Sequence, residues 1–402
     1  MEQADVIILG GGLIGLTLAI ALDRHGLSSI IVDPADPAAI AAPGYDGRAT
    51  AISSASWRML EAIGVADRLE QHGCPIKAIR VSDGLAAGRL DFETGEDDRP
   101  LGIMVENRVL RAALRDAATS SRNIAFCMPA RAETVVRDAA AVNVVLADGR
   151  ALEAPLLVGA EGRMSPTREA AGIRIARWSY DHAAIISTVD HEYPHDNIAY
   201  EIFYPTGPFA ILPMLPGTRS AIVWSVPAKD AAAILDLPDR ALAAEIEKRM
   251  GGFLGTLTLA GGRASYKLGF HHAARITAER LVLAGDSAHG IHPIAGQGLN
   301  LGFRDAAALA QVLVEGARIG LDLGDAQLLA RYERWRSLDT MMVAAATDGL
   351  TRIYGVPGRS ASAIRRFGMG AVQRLGPVKN WLMAEARGEN GDMPLLLRGL
   401  TI

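Results

Sequence analysis

The chain has 402 residues, of which 50% are apolar and 21% are charged, as in folded globular proteins of two or three domains. Its two cysteines are too few for a disulfide framework or a cysteine-rich zinc site. A formal net charge of −4 gives no basic footprint for nucleic acid. Because no apolar run reaches the ~20 residues of a membrane span, we expect a cytoplasmic protein.

The first predicted elements form a strand–helix–strand unit. Residues 5–9 and 28–33 are short apolar runs rich in β-branched residues, which predicts two buried strands. The Ala- and Leu-rich residues 13–25 between them predict a helix that ends at Gly26. Strand, glycine turn, helix and strand in this order make a βαβ unit, so we expect a parallel sheet.

The turn between the first strand and the helix has the glycine spacing of a dinucleotide site. In such a turn the first glycine permits the sharp bend, the second admits a pyrophosphate, and the third lets helix and strand pack closely. Free N–H groups at the helix start then face the phosphates, and Asp33 after the next strand would accept hydrogen bonds from ribose hydroxyls. This motif does not distinguish FAD from NAD. Its predicted cofactor residues are Gly10, Gly12, Leu13, Ile14, Gly15 and Asp33.

Further along the chain, the strand-like runs between about residues 175 and 270 predict a separate, mostly antiparallel unit. Residues 281–285 and 299–316 then return to the strand and helix of the first unit, and the remainder predicts amphipathic helices. The first domain is therefore interrupted and resumed. The other predicted elements are helices at 53–63 and 107–118, and strands at 142–147, 155–160, 183–189, 198–204, 210–215 and 220–226.

A second motif, at residues 283–305, indicates that the predicted dinucleotide is FAD rather than NAD. It reads Leu-Ala-Gly-Asp-Ser-Ala-His-Gly-Ile-His-Pro-Ile-Ala-Gly-Gln-Gly-Leu-Asn-Leu-Gly-Phe-Arg-Asp. The carboxylate of Asp286, at a strand end, can accept hydrogen bonds from the sugar or ribityl hydroxyls of a cofactor. Residues 293–298 form a loop that opens into a helix, whose N–H groups and dipole stabilise negative charge at the N1–C2=O side of a reduced flavin.

This motif resembles the flavin-binding motif of the single-component (group A) aromatic hydroxylases, typified by p-hydroxybenzoate hydroxylase. Its His-Pro-Ile-Ala-Gly-Gln-Gly-Leu-Asn-Leu-Gly part is most similar to the ubiquinone-biosynthesis hydroxylase family. Residues 46–52, 106–108 and 388–399 also resemble family segments, and the resemblance is weakest across 165–270. It implies FAD contacts at Arg48, Ala49, Thr50, Asn107, Arg108, Gly285, Asp286, Pro293, Gly296, Gln297, Gly298, Leu299 and Asn300.

One segment departs from the family pattern. The family has an Asp-Gly pair linked to both FAD and NAD(P)H binding, whereas this chain has Glu161-Gly162. The acid is retained but is one methylene longer. The resemblance therefore implies that Glu161 and Gly162 contact FAD, and we predict slow reduction of the flavin by free NAD(P)H.

The resemblance implies an α/β protein: an FAD/NAD(P)-binding three-layer fold with an inserted antiparallel β-sheet substrate domain and a helical C-terminal region. It also implies an FAD-dependent monooxygenase that uses O₂ and electrons from NAD(P)H or a partner reductase. A flavin C4a-hydroperoxide would hydroxylate the ring of a lipophilic polyprenyl phenol or benzoquinone intermediate of ubiquinone. No catalytic acid or base is predicted. The predicted segments are FAD-binding at 1–75, 106–172 and 276–320, substrate-binding at 76–105 and 173–275, and C-terminal helical at 321–402.

The substrate and metal predictions rest on fewer residues. Residues 208–213 resemble the family strand that faces the flavin ring, which implies substrate contacts at Phe209 and Pro213, although aromatic residues in such strands are more often core. We predict no metal site, because His191 and His195 lack a third ligand at useful spacing, as does the pair at 271–272.

Two other functions remain open. One is another flavoprotein oxidoreductase of the same fold, such as an oxidase or prenyl reductase; the other is a non-catalytic flavin- or quinone-binding component of a biosynthetic complex. A halogenase is disfavoured, because the chain has no Trp-x-Trp-x-Ile motif.

The basic C-terminal region also has two interpretations. Residues 351–402 carry eight Lys or Arg against three Asp or Glu, and Arg365, Arg366 and Arg374 alternate with apolar residues. This spacing suits an amphipathic helix with a basic face, in peripheral contact with the inner face of a membrane or with a biosynthetic complex. Alternatively, the helix packs on the sheet domain and its arginines face only solvent.

Overall fold

The computed structural model describes residues 1–37, 48–85, 88–95, 98–290, 297–337 and 359–402. In these ranges the strands form four sheets, of six, nine, four and three strands. The predicted cofactor residues Pro293 and Gly296 lie outside the described residues, as do residues 46 and 47 of the segment before Arg48.

The six-stranded sheet is the core of the predicted FAD domain. Its strands from Leu281–Leu283 to Ile124–Cys127 are parallel, and only Thr277–Ala278 at one edge is antiparallel. Continuous apolar sequence fits strands that are covered on both faces. Helices Leu13–Asp23 and Gln297–Arg318 belong to the same core. The strand order is Thr277–Ala278, Leu281–Leu283, Leu156–Gly159, Val6–Leu9, Ser29–Val32, Ile124–Cys127.

The nine-stranded sheet is antiparallel except where Ile198–Tyr204 pairs in parallel with Ala78–Asp83. Helices Ala231–Leu235 and Asp239–Met250, which were not predicted, contribute side chains to the core on one face of this sheet. The strand order is His289–Gly290, Ala264–Ala273, Ile175–His191, Arg219–Pro227, Gly207–Met214, Ile198–Tyr204, Ala78–Asp83, Arg89–Glu93, and Leu257–Leu259 pairs with Ile175–His191.

The other face of the nine-stranded sheet packs against the three-stranded sheet. Leu212, Met214 and Ala221 from the large sheet share one apolar cluster with Cys74 and Met104 from the small one. Residues 48–51, which we call the flavin segment, lead into and begin strand Ala49–Ser53 of the small sheet, so the predicted FAD contacts there lie next to the predicted substrate domain. The three-stranded sheet has the order Ala49–Ser53, Gly102–Glu106, Cys74–Ile76.

A four-stranded sheet lies beside the first strand and was predicted only in part. The remaining helices include Ser54–Ala62 and Asn107–Thr119, both close to their predicted bounds. The sheet order is Glu2–Gln3, Ala151–Ala154, Val142–Leu146, Ala132–Arg137. The other helices are Pro166–Ala170, 326–337, Arg359–Arg374 and Gly376–Arg387, with 3₁₀ turns at Ala66–Arg68, Glu70–His72, Gly285–Ser287 and Leu395–Arg398.

The predicted fold class is confirmed. Residues 76–105 contribute two strands to the nine-stranded sheet, as a substrate-domain segment would, and the division into six segments stays a prediction. Among the helices of the described ranges, none has both the length and the apolar character needed to cross a bilayer.

Candidate cofactor site

Two of the three motif glycines pack tightly against other backbone atoms, whereas the third leaves space for a ligand. A Cβ atom on Gly10 would lie 2.3 Å from the Ala160 carbonyl oxygen, and one on Gly15 would lie 2.0 Å from that of Gly10. By contrast, a Cβ on Gly12 would meet nothing within 4 Å. Helix Leu13–Asp23 starts directly after Gly12 without a side-chain cap. Its first N–H groups are thus available to an anion over Gly12.

Asp33 stands at the end of the next parallel strand and is held against the same turn. Its carboxylate accepts hydrogen bonds from the backbone N–H of Gly11 (2.7 Å) and of Ala35 (2.8 Å). A carboxylate has about four acceptor positions, so Asp33 keeps acceptor capacity for a ribose. The structure places this predicted pair of turn and acid as a dinucleotide site requires.

Glu161 and Gly162 follow the strand on the other side of Val6–Leu9. One Glu161 oxygen accepts from the Ser165 hydroxyl (2.8 Å) and from the Thr167 N–H (3.2 Å), so this carboxylate caps helix Pro166–Ala170. Gly162 has a positive φ of +82° and donates its N–H to the Ser287 hydroxyl (3.1 Å). The segment is therefore fixed to the second motif, and its acid is engaged within the protein.

Asp286 is the exposed residue in an otherwise buried stretch, 281–290, at the end of strand Leu281–Leu283. Within the described part of the chain, its carboxylate has no hydrogen-bond partner, while its backbone carbonyl accepts from the His271 ring (2.8 Å). Gly285 beside it has a φ of +61° and packs on Ile14 of the glycine turn. Asp286 thus presents a free acceptor next to the turn.

The second motif is tied to the predicted flavin segment by Asn300. Its amide accepts from the Ser53 N–H (2.9 Å) and donates to the Ala51 carbonyl (2.9 Å). On the same strand, the Thr50 hydroxyl donates to the Asn107 side chain (2.6 Å). These contacts join residues that lie between 57 and 249 positions apart in the chain.

For the remaining predicted FAD contacts, the structure shows where each residue lies in the fold. Arg48 lies 5.9 Å above the ring of Tyr266 in the nine-stranded sheet, and Arg108 pairs with Glu106. Ala49 packs in the apolar cluster between the two sheets. Gly298 and Leu299 lie in the first turn of helix Gln297–Arg318.

The predicted set therefore comes together at the carboxyl edge of the six-stranded sheet. Gly10, Asp33, Glu161 and Asp286 lie one to three residues after the ends of parallel strands, and helix Gln297–Arg318 begins after the last of these strands. An open backbone over Gly12, uncapped N–H groups and a free carboxylate at Asp286 fit the pyrophosphate and hydroxyls of FAD.

Sequence reasoning missed a buried charge cluster behind this edge. Asp305, 1% exposed, accepts from the Gly285 N–H (2.9 Å) and lies 2.7 Å from the His289 ring and 2.6 Å from the Arg336 guanidinium. Burial alone would raise the pKa of Asp305, but His289 and Arg336 outweigh it, so that the pKa lies below its ordinary value. The cluster fixes the backbone that carries Asp286.

Two further buried groups hold the same backbone. The Tyr332 hydroxyl donates to the Leu283 carbonyl (3.1 Å), and burial raises its pKa well above 10. The fully buried Arg168 donates to the carbonyls of Ser287 and Arg163 (both 3.0 Å). The one sequence signal for this layer was Asp305 itself, an acid inside an apolar helical run.

The predicted substrate residues lie on the helix-covered face of the nine-stranded sheet. Phe209 is fully buried there, 6.1 Å from the Trp224 ring. Side chains alternate along a strand, so Pro213 shares that face and Leu212 points to the three-stranded sheet. Substrate contact at Phe209 and Pro213 stays a prediction.

Comparisons with known proteins identify the family. The family described as "FAD binding domain" matches residues 3–347. The chain is 44% identical to ubiquinone hydroxylase UbiL of Rhodospirillum rubrum, over 100% of this chain and 94% of that protein. The chain belongs to the FAD-dependent ubiquinone hydroxylase family. It is also 31% identical to 3-demethoxyubiquinol 3-hydroxylase of Escherichia coli, over 96% of this chain and 99% of that protein.

Solved structures confirm the FAD monooxygenase fold. The fold matches p-nitrophenol 4-monooxygenase PnpA of Pseudomonas putida with a TM-score of 0.79 at 17% identity, over 97% and 99% of the two chains. It also matches PqsL of Pseudomonas aeruginosa, a probable FAD-dependent monooxygenase, with a TM-score of 0.77 at 24% identity, over 91% and 100%. The predictions of the family, of FAD as cofactor and of a monooxygenase are thus confirmed.

Proposed function

We propose that this protein hydroxylates the aromatic ring of a polyprenylated phenol or benzoquinone intermediate of ubiquinone. The observation that carries the proposal is the full-length identity with a ubiquinone hydroxylase, which includes the nine-stranded sheet as well as the cofactor site. When bound, FAD supplies the redox chemistry, because it takes up electrons and activates O₂. The protein binds the cofactor, orients the ring and excludes water.

The surface between the two sheets supports a lipophilic substrate. The apolar cluster there contains Leu212, Met214 and Met104, and Met369 and Val372 of helix Arg359–Arg374 extend it. An apolar region of this composition suits contact with a prenyl chain, since binding would remove apolar surface from water on both sides. Its unbranched methionines adapt to chains of different shape.

The test of the function is a product assay on the FAD-loaded protein with a prenylated phenol, O₂ and a reductant. We expect a product heavier by one oxygen atom, and a lower rate with the same phenol lacking its chain. Oxidation of the phenol by O₂ without the added reductant, and without oxygen insertion, would contradict hydroxylation and favour an oxidase. A flavin that shows no response to any phenol would favour the non-catalytic component.

For the electron donor, we propose NAD(P)H acting slowly alone, or a partner reductase. The support is Glu161, whose carboxylate caps helix Pro166–Ala170. Glu161→Asp, which restores the family acid and shortens the reach to that helix, is expected to increase the rate of flavin reduction by NADPH. Stopped-flow absorbance measures this rate, with the exposed Glu169→Asp as the control. Fast reduction in the wild type, unchanged in Glu161→Asp, would contradict the role given to this residue.

We also propose a peripheral membrane contact, and the supporting surface is helix Gly376–Arg387. Leu375, Val378 and Trp381 follow one another at three-residue spacing and are 53%, 42% and 50% exposed. Arg374 beside them is exposed as well. The predicted basic residue Arg365 is not part of this surface, because it is buried in an ion pair with Asp83. The surface thus combines an apolar stripe with positive charge.

Removing the stripe is expected to weaken binding to anionic vesicles. Val378→Ser with Trp381→Ser should lower the fraction that co-sediments at low salt, since both side chains would enter the lipid interface. The matched control is Ile319→Ser, which changes an apolar residue that is 75% exposed elsewhere on the surface. Equal binding of all three proteins would show that this stripe is not the membrane contact. No binding by the wild type would contradict a membrane contact, and the substrate would then arrive by another carrier.

A further inference from the structure

The carboxylate of Glu201 lies in the face of the nine-stranded sheet that packs against the three-stranded sheet. Glu201 is the middle residue of strand Ile198–Tyr204 and pairs with Ala210 on one side and Val81 on the other. Directly paired residues share a face, as do residues two apart on one strand. Glu201 is therefore surrounded on its face by Ala210, Val81, Ala199 and Phe203.

No described residue compensates this charge. In the ranges that the structure describes, the Glu201 carboxylate has no hydrogen-bond or ion-pair partner. Burial raises its pKa to about 7. An unpaired acid in an apolar setting costs stability, and such groups are enriched in binding and catalytic sites.

The face that holds Glu201 is directed at the flavin segment. Glu201 shares its row across the sheet with Ala210, Val223 and Ile186. Two residues further along the strands, Leu212 and its neighbours pack in the cluster that contains Ala49 and Ala51 of the flavin segment.

The row on the opposite side also meets this segment. Tyr266 pairs with Ala184, two residues from Ile186 on the same strand, and Arg48 lies 5.9 Å above its ring. The row of Glu201 thus lies between two rows that contact residues 48–51. Asn300 ties the same residues to the second flavin motif.

The neighbouring acid on this face is already neutralised. Asp83 stands two residues after Val81 on the adjacent strand, and it pairs with Arg365 of helix Arg359–Arg374 at 3.1 Å. Both side chains are 5% exposed. The other charged residues on this side, among the described elements, are Arg48 on the flavin segment and the ion pair of Arg219 with Asp190, which lies four residues further along the strands. Glu201 is left as the acid with acceptor capacity.

We propose that Glu201 binds the aromatic substrate by accepting a hydrogen bond from its ring hydroxyl. This inference rests on the proposed function and names the contact that orients the ring. A charge-assisted hydrogen bond is strong in an apolar pocket. It also increases the electron density of the ring, which favours attack by an electrophilic oxygen. Glu201 would then touch the substrate itself, which makes it a substrate-binding residue of the reaction.

The test compares a phenol with its methyl ether. Holoenzyme is titrated with 2-prenylphenol and with the methyl ether of 2-prenylphenol, and binding is followed by the change in flavin absorbance. We expect the wild type to prefer the phenol by roughly 10-fold or more, because a site built for a hydroxyl discriminates against an analogue that lacks it. Glu201→Leu should reduce this preference to about one. The control, Glu93→Gln, changes an exposed acid on a neighbouring strand and should behave as wild type.

The pH dependence separates the contact from a structural effect. The phenol, with a pKa near 10, stays neutral between about pH 5.5 and 8.5. As the pH rises through about 7, Glu201 ionises, so the affinity of wild type for the phenol should rise while that for the ether stays constant. In Glu201→Gln, an uncharged residue of the same shape, the pH dependence should disappear. This variant decides the matter if Glu201→Leu does not fold or bind FAD.

The outcomes distinguish this inference from the function it rests on. If wild type and both variants bind phenol and ether equally while wild type hydroxylates the phenol, the function stands and the role of Glu201 is wrong. The role is also wrong if Glu201→Gln keeps the wild-type pH dependence. If the preference and its pH dependence vanish in the variants but no oxygen is inserted, Glu201 binds the phenol and the hydroxylase function is wrong. Binding of neither ligand by yellow wild type overturns both.

Discussion

Asp305→Asn is expected to yield protein without FAD, with a free energy of unfolding lower by about 3–5 kcal/mol. The substitution leaves the guanidinium of Arg336, 3% exposed, without its carboxylate. It also weakens the acceptor for the Gly285 N–H, which holds the backbone beside Asp286. Urea denaturation and the flavin absorbance of the purified protein measure the two effects.

The control is Asp67→Asn, which removes an exposed carboxylate and should change neither quantity. The pH dependence gives a further check. Because His289 and Arg336 hold the pKa of Asp305 below its ordinary value, its stabilising contribution is present above about pH 4. That contribution is lost as the pH falls through the lowered folded pKa. An Asp305→Asn protein that is yellow and as stable as wild type would show that the cluster does not support the site.

Gly15→Ala and Gly12→Ala are expected to fail in different ways. A Cβ on Gly15 meets the Gly10 carbonyl at 2.0 Å, so this variant should lose about 1–3 kcal/mol of stability and its FAD. A Cβ on Gly12 meets no protein atom within 4 Å. Gly12→Ala should therefore fold as wild type but bind FAD at least ~10-fold more weakly, a loss of about 1.4 kcal/mol, because the methyl group occupies the place of the pyrophosphate.

Thermal unfolding of the apoproteins and FAD titration separate these effects. Gly370→Ala is the matched control, since that glycine lies in helix Arg359–Arg374 and its Cβ would also meet nothing within 4 Å. It should keep wild-type affinity for FAD. If Gly12→Ala bound FAD as tightly as wild type, the pyrophosphate would not lie over this turn.

Local patterns in the sequence were sufficient for the elements of the first domain. The predicted strands at 5–9 and 28–33 are observed as Val6–Leu9 and Ser29–Val32, because short apolar runs between turn residues have few other solutions. Strand Ile198–Tyr204 has its predicted bounds. Its parallel pairing with Ala78–Asp83 could not be predicted, since that contact joins distant parts of the chain.

The interior of the second domain was predicted less completely. Helix Asp239–Met250 was missed within a region assigned to strands, although its charged and apolar residues alternate at helical spacing. The strand predicted at 210–215 is observed as Gly207–Met214, but which of its faces meets the flavin segment was not predicted. That face depends on which sheet packs against it, and it decides whether Phe209 or Leu212 points there.

The candidate site shows the same contrast between residues of local motifs, which were predicted, and residues brought together by packing, which were not. Gly12, Asp33 and Asp286 were predicted because each belongs to a motif whose parts lie close together in the sequence. Asp305 and Arg336 were not, since a charge in a helix usually faces solvent and their pairing appears only when two helices pack. Glu161 was predicted to contact FAD, but its hydrogen bond to the Thr167 N–H was not predicted. That bond depends on where the chain turns after residue 162.

The strand order of the six-stranded sheet also decides when the protein can take up its cofactor during synthesis. Strand Val6–Leu9 emerges first, yet its neighbour Leu156–Gly159 and the next strand, Leu281–Leu283, come much later. At ribosomal speeds of about 5–20 residues per second, the glycine turn waits on the order of 15–60 s for the segment around Asn300. We expect nascent chains to hold no flavin, so that riboflavin shortage leaves complete, colourless polypeptides rather than interrupted ones.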